Sequence, residues 1–249
     1  MLELNRISAG YGKQTVLDGI SVDFEKGKLT SIIGVNGCGK STLLKAILGI
    51  LSLSNGEIFI DGENLLTISR NEIAKKIAYL SQGKNIPDMT VEQMVLHGRF
   101  PYLSYPRRYS SHDREVAIKA MEAVGIAEFA HKPLYSLSGG MRQNAYIAMA
   151  LAQDTDYILL DEPTTYLDIA HQLELMRILR KLADSGKGIV TVMHNLPIAF
   201  DFSDKLTVMS NGKIIAYGTP SEICESHIVE DIFGVKIKQV QKGKYLYEY

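Results

Sequence analysis

The feature that most constrains this chain is a glycine-rich segment, Gly34-Val35-Asn36-Gly37-Cys38-Gly39-Lys40-Ser41. It satisfies every fixed position of the pattern G-x-x-x-x-G-K-[ST]. An apolar, β-branched run at 29–33 precedes it, and apolar residues at helical spacing follow it over 42–48, which predicts a strand, a loop and a helix. In that arrangement, backbone N–H groups of the loop and of the helix N-terminus point at an anion. The segment therefore predicts a site for a nucleoside triphosphate.

Two side chains of this segment are expected to act on the triphosphate directly. Lys40 would reach the β- and γ-phosphates, and the hydroxyl of Ser41 would bind Mg²⁺. An ordinary glycine turn would match the pattern only by chance, and the strand and helix that flank it argue against that alternative.

Composition limits the other possibilities. A length of 249 residues suits one large domain or two small lobes, and a net charge of −1 argues against a protein whose main task is to hold nucleic acid. No apolar run approaches the roughly 18 residues that span a bilayer, and the N-terminus does not read as a signal peptide. Two cysteines give no disulfide framework, so we expect a reducing, cytosolic setting.

Acidic and histidine side chains follow two further apolar runs. The run 157–160 predicts a buried strand that delivers Asp161 and Glu162 at its C-terminal end, where open α/β sheets place ligands. Asp161 would bind Mg²⁺, and Glu162 would orient or deprotonate water. The run 189–193 ends at His194. A lone histidine is more often structural than catalytic, but its place at a strand end makes it a candidate γ-phosphate contact.

The pattern becomes helical from about residue 84 for some seventy residues. Thr90 and Gln93 predict a capping box for one helix, and Ser111 is expected to open another that closes at Gly125. After residue 218 the sequence predicts short helices and then a hairpin around Lys242, to which no chemistry is assigned.

Ser138, Gly139 and Gly140 precede another helical run that reaches Ala152. Serine is a good N-cap and the glycines permit close backbone approach, so these residues form either a second anion cradle at a helix N-terminus or a flexible linker.

The segment 99–109 places arginines among aromatic residues. Such a composition suits single-stranded nucleic acid, a partner protein, or the chain's own helices, and the near-zero net charge disfavours the first.

Cys38 lies at the predicted helix N-terminus, where N–H dipoles favour a thiolate. We therefore expect a reactive thiol that Mg-ATP protects.

Taken in order, these motifs resemble the ATPase subunit of an ATP-binding-cassette transporter over nearly the whole chain. The residues that carry the resemblance are Tyr11, the glycine-rich segment, Gln82, Leu137-Ser138-Gly139-Gly140, Asp161-Glu162, Leu167-Asp168 and His194. The implied fold is a single α/β domain with a P-loop (RecA-like) nucleotide-binding core and an antiparallel β subdomain (1–85 and 154–220). An α-helical subdomain (86–153) is inserted into it, and a small extension (221–249) follows.

The resemblance also implies roles for residues. Tyr11, which on its own could equally be a surface turn residue, would stack on adenine. Gln82 would link Mg²⁺ and the attacking water to the membrane partner, and His194 would act as the γ-phosphate switch. Ser138 to Gly140 would bind the γ-phosphate of the partner subunit's ATP. The full nucleotide set is Tyr11, Val16, Gly34, Asn36, Gly37, Cys38, Gly39, Lys40, Ser41, Thr42, Ser138, Gly139, Gly140 and Asp168. The catalytic set is Glu162, His194, Gln82 and Lys40, and the Mg²⁺ ligands are Ser41, Gln82 and Asp161.

Two stretches indicate a branch of that family. The run Gly98-Arg99-Phe100-Pro101-Tyr102 is similar to one in importers for ferric siderophores, haem and cobalamin, and His171-Gln172-Leu173-Glu174 after Asp168 points the same way. This implies a homodimer with ATP and Mg²⁺ beneath permease subunits at the cytoplasmic face of the membrane. It also implies an extracytoplasmic substrate-binding protein acting indirectly, and no nucleic acid. The alternatives are a soluble cassette ATPase for iron–sulfur cluster assembly or nucleic acid, and the ATPase of an exporter.

Overall fold

The structure is a computed structural model that describes residues 1–81, 86–165, 167–241 and 243–248. Over these ranges the strands are β1 (Leu2–Tyr11), β2 (Gln14–Phe24), β3 (Leu29–Gly34), β4 (Leu53–Ile60), β5 (Glu63–Asn64), β6 (Ile77–Leu80), β7 (Tyr157–Asp161), β8 (Gly188–Val192), β9 (Lys205–Ser210), β10 (Lys213–Gly218), β11 (Lys236–Gln241) and β12 (Lys244–Glu248). The α-helices are α1 (Lys40–Ile47), α2 (Arg70–Lys76), α3 (Val91–Leu96), α4 (Ser111–Ala123), α5 (Gly139–Ala152), α6 (Ile169–Asp184), α7 (Leu196–Phe202), α8 (Pro220–Glu225) and α9 (Ile228–Phe233). Short 3₁₀ helices cover Leu65–Thr67, His97–Tyr102, Ala127–Phe129 and Leu134–Ser136.

A six-stranded sheet in the order β10-β9-β3-β8-β7-β6 forms the centre of the fold. All but β10 run parallel. Every residue of β3, β7 and β8 is buried, as expected for strands covered on both faces. Their carboxyl ends meet at one edge of the sheet, which gathers the glycine-rich loop after β3, Glu162 after β7 and His194 two residues after β8.

A second sheet, antiparallel and in the order β2-β1-β4-β5, carries the N-terminal strands. Alternation along β2 predicts that Ile20, Val22 and Phe24 share an apolar face, and all three are buried. They share a core with residues of α1 such as Leu43 and with Val190 of β8. The second sheet and α1 therefore cover one face of the central sheet and brace the glycine-rich loop.

Helices α3, α4 and α5 pack together between β6 and β7 in chain order. The capping box of Thr90 and Gln93 is formed, but α3 stops at Leu96 and a 3₁₀ helix follows. Here Gly98 lies against α5, where an added Cβ would be 2.1 Å from the carbonyl oxygen of Met149. These helices fall inside the segment 86–153, whose standing as a separate subdomain stays a prediction.

Helix α4 begins at Ser111, as predicted. Ser110 is its N-cap, and Asp113 at the third helical position completes a capping box with Ser110.

The C-terminal segment forms two short helices and the two-stranded sheet of β11 and β12. This agrees with the predicted hairpin; Lys242 itself lies outside the described residues. No helix of the described ranges is both long and apolar enough to cross a bilayer.

Candidate active site

The glycine-rich loop joins β3 to α1 and turns through two left-handed glycines. Gly37 has φ 79° and Gly39 φ 106°, a region that glycine adopts without strain. Gly39 is also the N-cap of α1, with no side chain over the helix N-terminus. An added Cβ on Gly39 would be 3.5 Å from Cγ1 of Val16, so the predicted nucleotide contact Val16 lies beside this loop. The loop thus leaves backbone N–H groups at a helix N-terminus uncapped, the arrangement that binds phosphates.

Lys40 is a buried cation at the start of α1, only 5% exposed. Its Nζ donates to the carbonyl oxygens of Gly34 (2.8 Å) and Val35 (3.0 Å). Among the described residues it makes no ion pair with a carboxylate. Because a buried charge without a counter-charge is costly, this environment favours an anionic ligand such as a triphosphate.

Ser41 and Asp161 meet at the junction of α1 and β7. The Ser41 hydroxyl donates to Oδ1 of Asp161 at 3.0 Å, and the Tyr79 hydroxyl lies 3.4 Å from Oδ2. Burial raises the pKa of Asp161, and the Ser41 hydrogen bond opposes that rise. A hydroxyl and a carboxylate oxygen are ligand types that Mg²⁺ uses beside substrate phosphates. The donor set therefore fits Mg²⁺, and a cation would offset the cost of burying the Asp161 charge.

Glu162 follows Asp161 but faces different groups. Its Oε1 lies 2.5 Å from Nε2 of His194, and its Oε2 accepts a hydrogen bond from the Thr165 hydroxyl at 3.2 Å. Its backbone is left-handed, with φ 51°, which is uncommon outside glycine and concentrates at functional sites. Sequence reasoning missed Thr165, because nothing in its spacing distinguishes it from other polar residues after the strand.

Ser138 is the N-cap of α5, as predicted, and its Oγ accepts a hydrogen bond from the Met141 N–H at 3.3 Å. Ser138 and Gly139 are exposed. An added Cβ on Gly140 would be 2.3 Å from Cδ2 of His171. The absence of a side chain at Gly140 therefore lets the imidazole of His171 in α6 lie close to the backbone of α5.

Asp168 and Tyr11 occupy the ends of other elements. Asp168 caps α6, accepting hydrogen bonds from the backbone N–H (2.9 Å) and Nδ1 (2.8 Å) of His171, which lower the pKa of Asp168. Tyr11 ends β1 with its side chain half-exposed. Asn36 is exposed and Thr42 buried. Their nucleotide contacts stay predictions, and the predicted Mg²⁺ ligand Gln82 lies outside the described residues.

The expectation of a reactive Cys38 thiolate is wrong. Cys38 is buried, and burial raises the pKa of its thiol by more than the nearby charge and backbone of Lys40 lower it. An added Cβ on Gly34 would lie 2.7 Å from Sγ, so the thiol faces the protein interior.

The arginine–aromatic segment divides into inward and outward residues. Arg99 is 4% exposed; its Nε bonds Oδ1 of Asp113 and its Nη1 the carbonyl of Ala152, each at 2.9 Å. Its guanidinium also stacks over Tyr102, 3.9 Å from the ring centroid. By contrast, Phe100, Tyr102 and Tyr105 are exposed, although the ring of Tyr102 packs against Arg99. Of the three alternatives, packing on the chain's own helices accounts for Arg99 and Tyr102, and the exposed rings of Phe100 and Tyr105 are available to a partner.

Comparison with known proteins agrees with this geometry. The family model described as ABC transporter matches residues 17–165. The chain is 41% identical to the petrobactin import ATP-binding protein FpuD of Bacillus anthracis, over 93% of this chain and 86% of that protein. It is 40% identical to the ferric enterobactin transport ATP-binding protein FepC of Escherichia coli K12, with the same coverage.

A solved structure described as an inward-facing conformation of a metal-chelate type ABC transporter contains a chain with the same fold. The TM-score is 0.85 at 27% identity, over 100% of this chain and 97% of that one. This likeness confirms the predicted P-loop α/β fold. With a family match over more than half of its length and relatives of about 40% identity, the chain belongs to the ABC transporter family, as one of its ATPases.

Proposed function

We propose that this ATPase powers an importer for an iron chelate, either a siderophore or haem, or for a corrinoid such as cobalamin. Two kinds of observation support the proposal. The relatives at about 40% identity are named for petrobactin import and ferric enterobactin transport, and the similar solved structure is described as metal-chelate type. The run Gly98 to Tyr102 resembles the same branch.

The observation that supports ATP hydrolysis is the arrangement of two adjacent carboxylates, those of Asp161 and Glu162. Asp161 contacts Ser41, whereas Glu162 turns away to His194 and Thr165. Ser41 and Asp161 would hold Mg²⁺, with Gln82 expected beside them. When bound, Mg²⁺ neutralises charge on the β- and γ-phosphate oxygens.

The remaining steps belong to the chain's own side chains. Lys40 binds the β- and γ-phosphates. Its ammonium group forms no ion pair with a carboxylate in the described part of the chain. Glu162, not occupied by the metal, accepts the proton of the attacking water or orients it. His194, in contact with Glu162, fixes that carboxylate and contacts the γ-phosphate.

We further propose that the working site is shared by two chains. Lys40, Ser41, Asp161 and Glu162 of one chain cover the base, metal and water sides of the γ-phosphate and leave one oxygen face open. A loose transition state gains from donors around all its equatorial oxygens. Ser138 and Gly139 form an exposed helix N-terminus that suits such a face. ATP would then hold two protomers together.

The substitution Glu162→Gln tests both ideas. It keeps the shape of the side chain and removes the base, so it should retain an ATP-bound dimer with turnover reduced about 10²- to 10⁴-fold. The exposed position Glu174→Gln on α6 is the matched control and should keep wild-type turnover. Size-exclusion chromatography with and without ATP shows whether the protein is a monomer or a dimer. A Glu162→Gln protein that stays monomeric with saturating ATP and hydrolyses it at the wild-type rate would refute the dimer and the base together.

A groove formed by α2, β6 and the residues that directly follow α1 and α5 suits the permease. It has a volume of about 340 Å³ and is lined by Leu48, Gly49, Ile50, Arg70, Ile73, Ala74, Ile77, Tyr79 and Gln153. Ile50 is exposed beside it, and Tyr79 in its wall contacts Asp161. The proposed occupant is a short cytoplasmic segment of a permease subunit with an apolar face. This interaction would hold the chain at the cytoplasmic face of the membrane.

The groove is tested by Ile50→Glu, with Ile118→Glu on the exposed face of α4 as control. The first should abolish transport and its stimulation of hydrolysis while sparing hydrolysis by the isolated subunit; the second should spare all three. Equal transport by both variants would rule out this groove.

The transported class is tested in cells that lack the chain. Uptake of iron-loaded siderophore, haem and cobalamin is measured after wild-type or Lys40→Ala protein is restored. Recovery of one of these uptakes by the wild type alone supports the importer. Recovery of none, with a soluble protein that never accompanies membranes, would favour the soluble cassette ATPases.

A further inference from the structure

We propose that the C-terminal hairpin, β11 and β12, is a positioning element for His194, which it orients through α7. The proposal rests on the role of His194 in hydrolysis given above. It assigns a task to a segment in which the sequence shows no catalytic motif.

The helix that carries this effect is short and begins next to the site. Helix α7 starts at Leu196, two residues after His194, and contains seven residues. Asn195 caps it, its Oδ1 accepting a hydrogen bond from the Ile198 N–H at 3.3 Å. Helices of this length are marginal on their own, so tertiary contacts must set its position.

The C-terminal end of α7 is attached to the central sheet. Ser203, directly after the helix, shares a hydrogen bond of 2.7 Å with Ser31 of β3 through their hydroxyls. Ile198, Ala199 and Phe200 are buried.

The outer contacts of α7 come from the hairpin. The backbone N–H of Tyr245 donates to Oδ1 of Asp201 at 2.8 Å, and Nζ of Lys244 donates to Oδ2 at 3.0 Å. The rings of Tyr245 and Phe200 pack with centroids 5.1 Å apart. Tyr245 is 4% exposed, and hydrogen bonds to a carboxylate are among the stronger ones. One strand of the hairpin therefore fixes the last turn of α7.

The other strand attaches the hairpin to a different helix. Sγ of Cys224 in α8 donates to the carbonyl oxygen of Ile237 in β11 at 3.1 Å. The hairpin is thus held on α8 and in turn holds α7.

The contact that depends on this arrangement is the one between His194 and Glu162, at 2.5 Å. Hydrogen bonds are lost beyond about 3.5 Å, and a misplacement of about 1 Å in a catalytic group can cost about 10²-fold in rate. A small shift of α7 would therefore separate the pair, whereas the glycine-rich loop is held between β3 and α1.

The test compares two residues that are neighbours on β12. Tyr245→Ala removes the packing on α7, whereas Leu246→Ala alters a residue that is 56% exposed. Tyr245→Ala and Asp201→Ala should lower kcat about 10- to 100-fold with an unchanged Kd for ATP, and Leu246→Ala should leave both unchanged. Asp201→Asn keeps an oxygen acceptor for the Tyr245 N–H and should restore most of the rate.

A second comparison separates positioning from loss of fold. In protein that already carries His194→Ala, adding Asp201→Ala should cause no further loss of single-turnover rate, because both changes act on one contact. An equal additional loss in that background, a parallel fall in ATP affinity, or a wild-type rate for Asp201→Ala would overturn the proposal. If His194→Ala alone is fully active, the role proposed for His194 in hydrolysis is wrong. That result differs from each of the outcomes that would overturn the role of the hairpin.

Discussion

The substitution Arg99→Ala tests whether this arginine serves the fold rather than a partner. Arg99 and Asp113 form a buried ion pair, with side chains 5% and 9% exposed. The guanidinium also satisfies the carbonyl of Ala152. Replacement by alanine leaves the Asp113 carboxylate without its counter-charge and the carbonyl without this donor.

The expected cost follows from that geometry. Removing one partner of a buried pair destabilises a protein by about 3–5 kcal/mol. For a chain of this size each kcal/mol lowers Tm by about 2–4 °C, so we expect a fall of roughly 6–20 °C. Arg107→Ala is the matched control, because Arg107 lies in the same segment and stacks on the exposed ring of Phe100 at 4.4 Å. An exposed contact of this kind is worth about 0.5–1 kcal/mol.

Urea and thermal unfolding at neutral pH measure the loss in free energy of unfolding for Arg99→Ala and for Arg107→Ala. If Arg99→Ala loses less than about 1 kcal/mol, the ion pair contributes little and the reasoning is refuted. If it keeps its stability but loses binding to single-stranded nucleic acid or to a permease, Arg99 serves a partner instead.

The pH dependence of the free energy of unfolding is an independent test of the ion pair between Arg99 and Asp113. Burial alone would raise the pKa of Asp113, but hydrogen bonds from Ser110 and the charge of Arg99 outweigh it and lower the pKa to about 2. A carboxyl whose pKa is lower in the folded state stabilises the protein above its unfolded pKa of about 3.9. That contribution is lost as pH falls from about 4 through about 2. Arg99→Ala should therefore unfold with a shallower pH dependence in this window, and an unchanged slope would contradict the assigned cause.

Three further experiments test the nucleotide site and the thiol beside it. Gly34→Ala would place its Cβ 2.4 Å from the Met209 carbonyl oxygen, so thermal melting should show a loss of about 1–3 kcal/mol or more; an unchanged Tm would mean that the loop moves freely. Tyr11→Ala should weaken ATP binding about 2- to 10-fold in a fluorescence titration, while Tyr11→Phe should bind ATP like the wild type. If the wild type and both variants bind ATP with equal affinity, Tyr11 is a surface residue without a role in binding. A thiol reagent at neutral pH should label half-buried Cys224 before buried Cys38, as mass spectrometry of peptides would show; faster labelling of Cys38 would restore the thiolate hypothesis.

Much of the site could be predicted from the sequence, because its chemistry lies at the ends of locally encoded elements. The glycine-rich loop depends on left-handed glycines at fixed spacing and on a strand and helix that are adjacent in the chain. Asp161 and His194 could be located because buried parallel strands are continuous apolar runs, and functional groups follow their carboxyl ends. The capping box at Thr90 is likewise a pattern of four residues.

Tertiary structure alone decided which distant groups meet. The strand order brings His194 to Glu162, 32 residues earlier in the chain, and packing of the helices brings Asp113 to Arg99. The hairpin contact with α7 spans more than forty residues, and no local pattern signals it.

Protonation also depended on packing. The sequence correctly put Cys38 beside a helix N-terminus, which favours the thiolate, but the degree of burial decided the direction of its pKa. A sequence fixes the neighbours of a residue through covalent geometry and local hydrogen bonds. Burial and long-range pairing are set only when elements far apart in the chain pack together, so they determine the direction of the pKa shift of Cys38 and the partner of Glu162.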